Sequence, residues 1–496
     1  MDPLHDTNRK IARGAAWMVS FKLIDRAIGL ATTIVLARLL VPADFGVVAM
    51  AMVVIGAVEL LGAFSFDMSL IHQPTAPREN YDTAWTLTLI VALFSGVCLG
   101  ALAQPASAFF HEPRLEAVMY VLAVASTLQG FENIGMVALR REFRFDRDFK
   151  FLLGKRLASI LVTIPLAITL RSYWALVLGQ LAGKILSVAL SYRMSDYRPR
   201  FSLVAKDRLL HFSKWMLATH TIAFLHRKLA DFVIARMAGA GALGIYSVSY
   251  EVSNLPTTEL VAPINRAAYP GYSRLAADLA KLRSSFLEVI SMIALFALPA
   301  GLGIVVTADL VVPVALGWKW VEAIPLMQVL ALYGVIVAVQ TNINYVYMAV
   351  GRPGVITAIT GAEFVVQTGL LIPATLQYGA IGAGWAMLAT AIVMLPVNQI
   401  LIARQLHISP RAFCARLVRP FIATLLMVAA VWGVKLALAT PQQTLAYLGA
   451  LVLCLCVGVA VYVVVLYQLW VMAGRPDGPE RHCLEQIRPR LRRAKC

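Results

Sequence analysis

Val35-Leu36-Ala37-Arg38-Leu39-Leu40-Val41-Pro42-Ala43-Asp44-Phe45-Gly46 closes one long apolar run and opens the next. The runs on either side, 14–37 and 46–71, are each long enough to cross about 30 Å of hydrocarbon as a helix. The turn returns 198 positions later. Val233-Ile234-Ala235-Arg236 matches Val35 to Arg38, Leu243-Gly244 matches Phe45-Gly46, and Trp215-Met216 matches Trp17-Met18. Further along, Leu115 to Ala123 resembles Ala323 to Ala331, and Trp174-Ala175-Leu176 resembles Trp385-Ala386-Met387, so the offset drifts only from 198 to about 211. Six segments separate the copies, and both therefore start on the same side of a membrane. That is a parallel repeat about a pseudo-twofold along the membrane normal, a transporter arrangement.

Composition supports the same class. The chain has 496 residues, 59% hydrophobic and 14% charged, against about 25% charged in a typical soluble protein. Continuous apolar runs favour helices over the alternating strands of a barrel. The expected spans are 14–37, 46–71, 83–104, 115–139, 151–170, 174–192, 213–236, 243–265, 285–308, 322–350, 355–377, 379–403, 418–438 and 445–472. The predicted fold is an all-α polytopic membrane protein of about 14 transmembrane helices. Its domains are an N-lobe of six helices (1–192), a basic cytoplasmic linker (193–212), a C-lobe of six helices (213–403), helices 13 and 14 (404–472) and a basic cytoplasmic tail (473–496). The first run is too long for a signal-peptide core and is expected to remain in the mature protein.

Basic residues give the orientation. With the N-terminus inside, about 33 of the 44 Lys and Arg fall in cytoplasmic segments and about five in outer loops, which puts both ends in the cytoplasm. The same rule accounts for the net charge of +17 without nucleic acid. The six cysteines show no metal-ligand or disulfide spacing, and no nucleotide-binding or hydrolase motif occurs. The sequence therefore predicts a transporter rather than an enzyme, with no cofactor and no metal.

Charged residues at bilayer depth are costly and mark cavities or ion pairs. The first segment carries Lys22, Asp25 and Arg26, the second Glu59 and Asp67. The seventh carries His220, Arg227, Lys228 and Asp231, and the eighth Glu251 and Glu259, with Arg266 near its inner end and Pro256 and Pro263 expected to kink it. The tenth offers Asn342 and Asn344, the fourth Gln129, Glu132 and Asn133, the sixth Lys184, and the eleventh Glu363 with Gln367. One account is a hydrated cavity whose Lys22, Arg26, Arg227, Lys228 and Arg266 bind an anionic head group. The other is self-neutralised structure, Lys22 with Asp25 and Arg227 with Asp231. Arg140-Arg141-Glu142-Phe143-Arg144-Phe145 and Tyr197-Arg198-Pro199-Arg200-Phe201 mix arginine with aromatics, which suits either a membrane-surface segment or a topology signal.

Several stretches resemble a known family. Residues 35–51, Tyr173-Trp174-Ala175-Leu176-Val177, Arg198-Pro199-Arg200-Phe201, Leu243-Gly244-Ile245-Tyr246, Tyr269-Pro270-Gly271-Tyr272-Ser273-Arg274 and Leu316-Gly317-Trp318-Lys319-Trp320 are similar to Wzx-type polysaccharide flippases. These belong to the multidrug/oligosaccharidyl-lipid/polysaccharide (MOP) exporter superfamily. The resemblance runs from about residue 10 to 400. It implies a V-shaped pair of lobes and an undecaprenyl-diphosphate-linked oligosaccharide cargo, flipped by alternating access across the bacterial inner membrane. It also implies membrane lipids, a polysaccharide polymerase and export machinery as partners. Lipid II flippases of the same superfamily are similar in using basic cavity residues on helices 1, 2 and 8. Lys22, Arg26 and Arg266 match this, whereas the second segment carries Glu59 and Asp67 instead. The alternatives are a lipid II flippase, a drug/cation antiporter of the same fold, and a membrane polysaccharide polymerase or glycosyltransferase.

Overall fold

The computed structural model of the chain describes residues 3–60, 77–141, 144–204, 206–438, 444–476 and 478. Its helices follow the apolar runs, because a backbone in lipid must satisfy its N–H and C=O groups internally. They are α1 (Pro3–Leu39), α2 (Pro42–Leu60), α3 (Arg78–Phe110), α4 (Arg114–Gln129), α5 (Phe145–Leu170), α6 (Trp174–Met194), α7 (206–238), α8 (240–275), α9 (Leu279–Val311), α10 (Ala323–Ala349), α11 (353–378), α12 (380–406), α13 (Pro410–Ala437) and α14 (Thr444–Met472). Only Gly239, with φ +80°, breaks the run from α7 into α8, and only Gly379, with φ +61°, separates α11 from α12.

Apart from the short helical segments Met136–Arg141, Val312–Leu316 and Trp318–Trp320, these fourteen helices of the described residues follow the fourteen expected segments in order, although the fourth, expected to reach 139, ends at Gln129. Among the described residues, ten stretches are long and apolar enough to cross a membrane, and two of them, Phe224–Leu275 and Pro353–Leu406, hold two helices each. α1, which is charged, and α4, with 16 residues, fall outside those ten. α8 is interrupted where Pro256 was expected to kink it. Proline has no N–H to donate, and regular helix stops at Ser253, widens into a π-helical turn over Pro256–Val261 and resumes as Ala262–Leu275.

The backbone repeats as the sequence does. Left-handed residues close the α3–α4 turn at His111 and the α9–α10 turn at Gly317, 206 positions apart. They recur at Arg171 between α5 and α6 and at Gly379 between α11 and α12, 208 apart. Both offsets fall inside the drift seen in the sequence.

Two compact units divide the chain, Met1–Gly244 and Ile245–Cys496. In the first, α3 packs on α4, α5 on α6, and α1 on α5. Lipid tails are as apolar as leucine, so helices associate there through close packing of small residues. Thr127 fills the space beside Gly96, and Thr163 the space beside Gly179. At the α1–α2 turn, Leu36 and Leu40 are buried with Ala167 and Ala175. A Cβ on Gly46 would overlap the carbonyl oxygen of Ala240, and one on Gly244 would overlap that of Pro42. The two copies of the turn thus meet backbone to backbone. Nearby, Glu112 takes both Nε and Nη2 of Arg114, at 2.7 and 2.9 Å, and that hydrogen bonding holds its carboxyl below the usual range. Arg236 stacks on the Phe109 ring, 5.2 Å from its centroid.

At the opposite end, residues 195–204 lie without helix across the start of α3, fastened by Asp82.

In the second unit α9 is the common support, with α10, α13 and α14 packed on it. Lys435 of α13 reaches Asp309 at 2.7 Å and the Val306 carbonyl at 2.9 Å, and Tyr462 of α14 donates to the Leu295 carbonyl at 2.7 Å. The core around Tyr272, Phe286, Ile343, Tyr347 and Leu406 joins α8 to α9, α10 and α12.

Candidate functional site

Charge in the first unit gathers where α1, the end of α4, α5 and α6 meet. Lys22 on α1 is exposed and makes no ion pair or hydrogen bond among the described residues. Asp25, three residues on, turns to Arg156 of α5, whose Nε lies 3.3 Å from its Oδ1. Gly29, one turn further, leaves room for that guanidinium: a Cβ there would stand 2.9 Å from Arg156 Nη2. Arg26 is half-buried.

Lys155 sits 4.0 Å from Glu132 Oε2, and the Ser187 hydroxyl donates to the same oxygen at 2.6 Å. Lys184, one turn before Ser187 on α6, donates to Gln129 Oε1. Glu59, exposed near the end of α2, is close enough to Lys184 to attract it. The result is a seam with five cations (Lys22, Arg26, Lys155, Arg156 and Lys184) against three carboxylates (Asp25, Glu59 and Glu132). Attraction across helices holds much of it together, and in a medium poorer than water in dielectric screening the excess positive charge is felt strongly by an anion.

The sequence named Lys22, Asp25, Arg26 and Glu59 as site residues and missed Lys155 and Arg156. With the helix expected to start at 151, both fall within its first two turns and count with the cytoplasmic basic residues from Arg140 onward. α5 starts six residues earlier, at Phe145, which places both nearly three turns inside it. Asp146 and Asp148 in its first turn were the available signal, since acids favour a helix N-terminus.

On α7, Lys228 pairs with Asp231 at 2.5 Å, so the aspartate is met by the lysine three residues before it. Arg227 is exposed. The side chain of His220 and the whole of Asp67 lie outside the described residues. In α8, Glu251 lies before the interruption and Glu259 within its π-helical turn, both half-buried. Arg266 is exposed, with no ion pair or hydrogen bond among the described residues.

In the second unit Asn342 is buried and its Oδ1 accepts from the Tyr272 hydroxyl at 3.1 Å, while Asn344 is half-buried. Asn398 of α12 donates to Gln340 Oε1 at 2.6 Å and to Glu363 Oε1 at 3.4 Å, and Gln340 donates to the Ala391 carbonyl at 3.2 Å. Among the described residues, Asn342 Nδ2 and Asn398 Oδ1 are buried without a hydrogen-bond partner, leaving polar capacity unused. A separate cavity of about 320 Å³ beside the α12–α13 turn is lined by Pro396, Ile400, Ile402, Ile408, Phe413 and Cys414 among others, a lining suited to hydrocarbon. Among the described residues, no cluster of three His, Cys, Asp or Glu could hold a metal.

The profile of a family described as polysaccharide biosynthesis protein matches residues 35–325. The lipopolysaccharide biosynthesis protein WzxC of Escherichia coli (strain K12) is 26% identical over 396 residues, covering 77% of this chain and 79% of that protein. The succinoglycan biosynthesis transport protein ExoT of Rhizobium meliloti (strain 1021) is 23% identical over 376 residues, 75% of each. Among solved structures, the lipid II flippase MurJ in an inward closed conformation aligns with a TM-score of 0.75 at 12% identity, over 93% of this chain and 100% of MurJ. An inward-facing multidrug resistance MATE family transporter of the MOP superfamily aligns with a TM-score of 0.58 at 17% identity, over 77% of this chain and 94% of that one. At such identities the structural likeness shows the all-α polytopic fold.

Proposed function

Because the chain belongs to the polysaccharide biosynthesis protein family, we propose that it is a flippase for undecaprenyl-diphosphate-linked oligosaccharide repeat units. It would carry them across the bacterial inner membrane toward exopolysaccharide, capsule or O-antigen, by transport rather than catalysis. Relatives named for lipopolysaccharide and succinoglycan production support the cargo class. The lobes we propose are 1–192 and 213–403, joined by the linker 193–212 and followed by helices in 404–472 and the tail 473–496. They alternate access to each side, with both chain ends in the cytoplasm.

The observation that carries the site is the partner of Asp25. Arg156 takes the carboxylate, which leaves Lys22 exposed beside Arg26 one turn away. Two cations about 6 Å apart along a helix can straddle a diphosphate, each through charge-assisted hydrogen bonds. Arg227, Lys228 and Arg266 are the further cations we assign to the anionic end of the cargo. Of these, Lys228 shares its charge with Asp231. Asp25, Glu59, Asp67, His220, Asp231, Glu251, Glu259, Asn342 and Asn344 are the polar and coupling candidates. A cation/drug antiporter fits the seam poorly, since its positive excess repels a cationic cargo.

Lipid analysis of a deletion strain tests the function. Loss of surface polysaccharide with accumulation of an undecaprenyl-linked glycan is expected. Normal surface polysaccharide with accumulated cell-wall precursor would assign the chain to lipid II instead. Lys22→Gln and Arg26→Gln test the site: each should abolish export while the protein still inserts, because losing a charge at bilayer depth favours insertion. Export at the normal level in both variants removes the diphosphate site.

A further inference from the structure

Residues 195–204 connect α6 to α7 without helix, yet their backbone is fastened at four places. Asp82, only 7% exposed, accepts the Arg200 N–H at 2.8 Å and the Tyr197 hydroxyl. Thr86 Oγ1 accepts the Ser202 N–H at 3.1 Å. Asn133 Nδ2 donates to the Tyr197 carbonyl at 2.6 Å, and Arg78 Nη2 to the Arg198 carbonyl at 3.2 Å. Burial, and then the bond to Asp82, pushes the Tyr197 phenol upward, so that it stays a donor at any physiological pH.

With the backbone held, the side chains left outside have a particular character. Arg193, Arg198 and Arg200 are exposed, and one acid, Asp196, is exposed among them. Phe201 rests one face near Trp85, with ring centroids 5.3 Å apart, yet remains 76% exposed, as does Val204. α6 ends at Met194, so this stretch begins where a spanning helix leaves the hydrocarbon. Arginines beside uncovered aromatic and aliphatic groups match the boundary between phosphate head groups and acyl chains, where the charge stays wet and the apolar part is buried.

We propose that residues 195–204 are a strap that docks on the surface of an anionic phospholipid bilayer, with Asp82 as the positioning residue that fixes its shape. Arg198 and Arg200 meet the phosphates, and Phe201 and Val204 enter the acyl boundary. The ligand is bulk anionic phospholipid, distinct from the transported diphosphate.

Native mass spectrometry of the full chain, released from detergent containing phosphatidylglycerol or phosphatidylcholine, tests this. The unaltered protein should retain phosphatidylglycerol in preference. Arg198→Gln/Arg200→Gln should cut that preference on the order of tenfold or more, at about 1 kcal/mol for each basic residue near an anionic surface. Arg200→Gln alone should cut it in part, since Arg198 also donates to the Ser195 and Tyr197 carbonyls whereas the Arg200 side chain makes no hydrogen bond among the described residues. Asp82→Ala, which unlike asparagine leaves no oxygen to accept the Arg200 N–H and the Tyr197 hydroxyl, is the sharper arm. It removes a negative charge, so general attraction predicts equal or stronger retention, whereas a strap released from its anchor predicts weaker retention. Thr86→Val, which frees the Ser202 N–H, should act in the same direction if Asp82→Ala does not accumulate. Unchanged preference in the arginine variant, or equal or stronger retention in the Asp82 variant, overturns the proposal. So does displacement of the phosphatidylglycerol by equimolar undecaprenyl diphosphate, which would assign these arginines to the cargo.

Discussion

Gly46 and Gly244, 198 positions apart, each lie against the other's turn: Gly46 meets the carbonyl of Ala240, and Gly244 meets the carbonyl of Pro42, itself 198 positions before Ala240. The contacts are with backbone oxygens, which cannot rotate away as a side chain could. Alanine at Gly46 should therefore destabilise the protein by about 1–3 kcal/mol through overpacking, although alanine favours a helix over glycine by about 1 kcal/mol. Gly361, with open space around it, is the control. Thermal unfolding in detergent should show Gly46→Ala falling and Gly361→Ala unchanged or rising. A rise in both would mean the close approach is absent.

Asp25 should couple to Arg156 and not to Lys22. In double-mutant cycles on unfolding, Asp25→Asn with Arg156→Gln should give an interaction of about 0.5–1 kcal/mol, modest because both groups are about two-fifths exposed. Asp25→Asn with Lys22→Gln should give an interaction near zero, and export should stay lost in that pair. Recovered export there would show that Lys22 serves to neutralise Asp25.

Glu112 provides a pH test at the α3–α4 turn. Its hydrogen bonds from Arg114 lower the folded-state pKa below the ordinary 4.5. A depressed carboxyl contributes stability that is present above the unfolded pKa and lost as pH falls through the folded one. The melting temperature of the unaltered protein should exceed that of Glu112→Gln at pH 6, and the gap should shrink progressively as pH falls below 4.5. A gap independent of pH would locate the effect elsewhere.

Reporter fusions after Arg200 and after Arg475 should read as cytoplasmic, and one at Ala108 as periplasmic, following the distribution of basic residues. A periplasmic reading at Arg475 would contradict the helix count.

The number and order of helices were legible because each apolar run is its own signal, and even the turn between α11 and α12 was placed within two residues of Gly379. Ion-pair partners were not. Lys22 and Asp25 stand close along α1, but the carboxylate's partner comes from α5, 131 positions away in sequence. Spacing along one helix says which side chains share a face and nothing about what the next helix brings. Lys155 and Lys184 joined the seam for the same reason. The clasp of Asp82 on residues 195–204 was equally hidden, since one of its donors, the Arg200 N–H, is a backbone group with no side-chain signature and the other, the Tyr197 hydroxyl, lies 115 positions away in sequence. What the sequence did mark there was the mixture of arginine and aromatics left outside.

The reciprocal contact of the two turns has a consequence for descent. A contact in which one position meets a second, and the second's counterpart meets the first's, is what two identical subunits make across a two-fold axis. Had the halves once been separate copies of one gene product, any change at the glycine would have struck twice, and the pair could only have altered in step. Within one chain that restriction does not hold: Phe45 corresponds to Leu243 and Val41 to Gly239, while glycine stands at both 46 and 244. The two copies differ at the carbonyl-bearing positions of the crossing, Pro42 and Ala240, and agree at its two glycines, where a side chain would meet backbone.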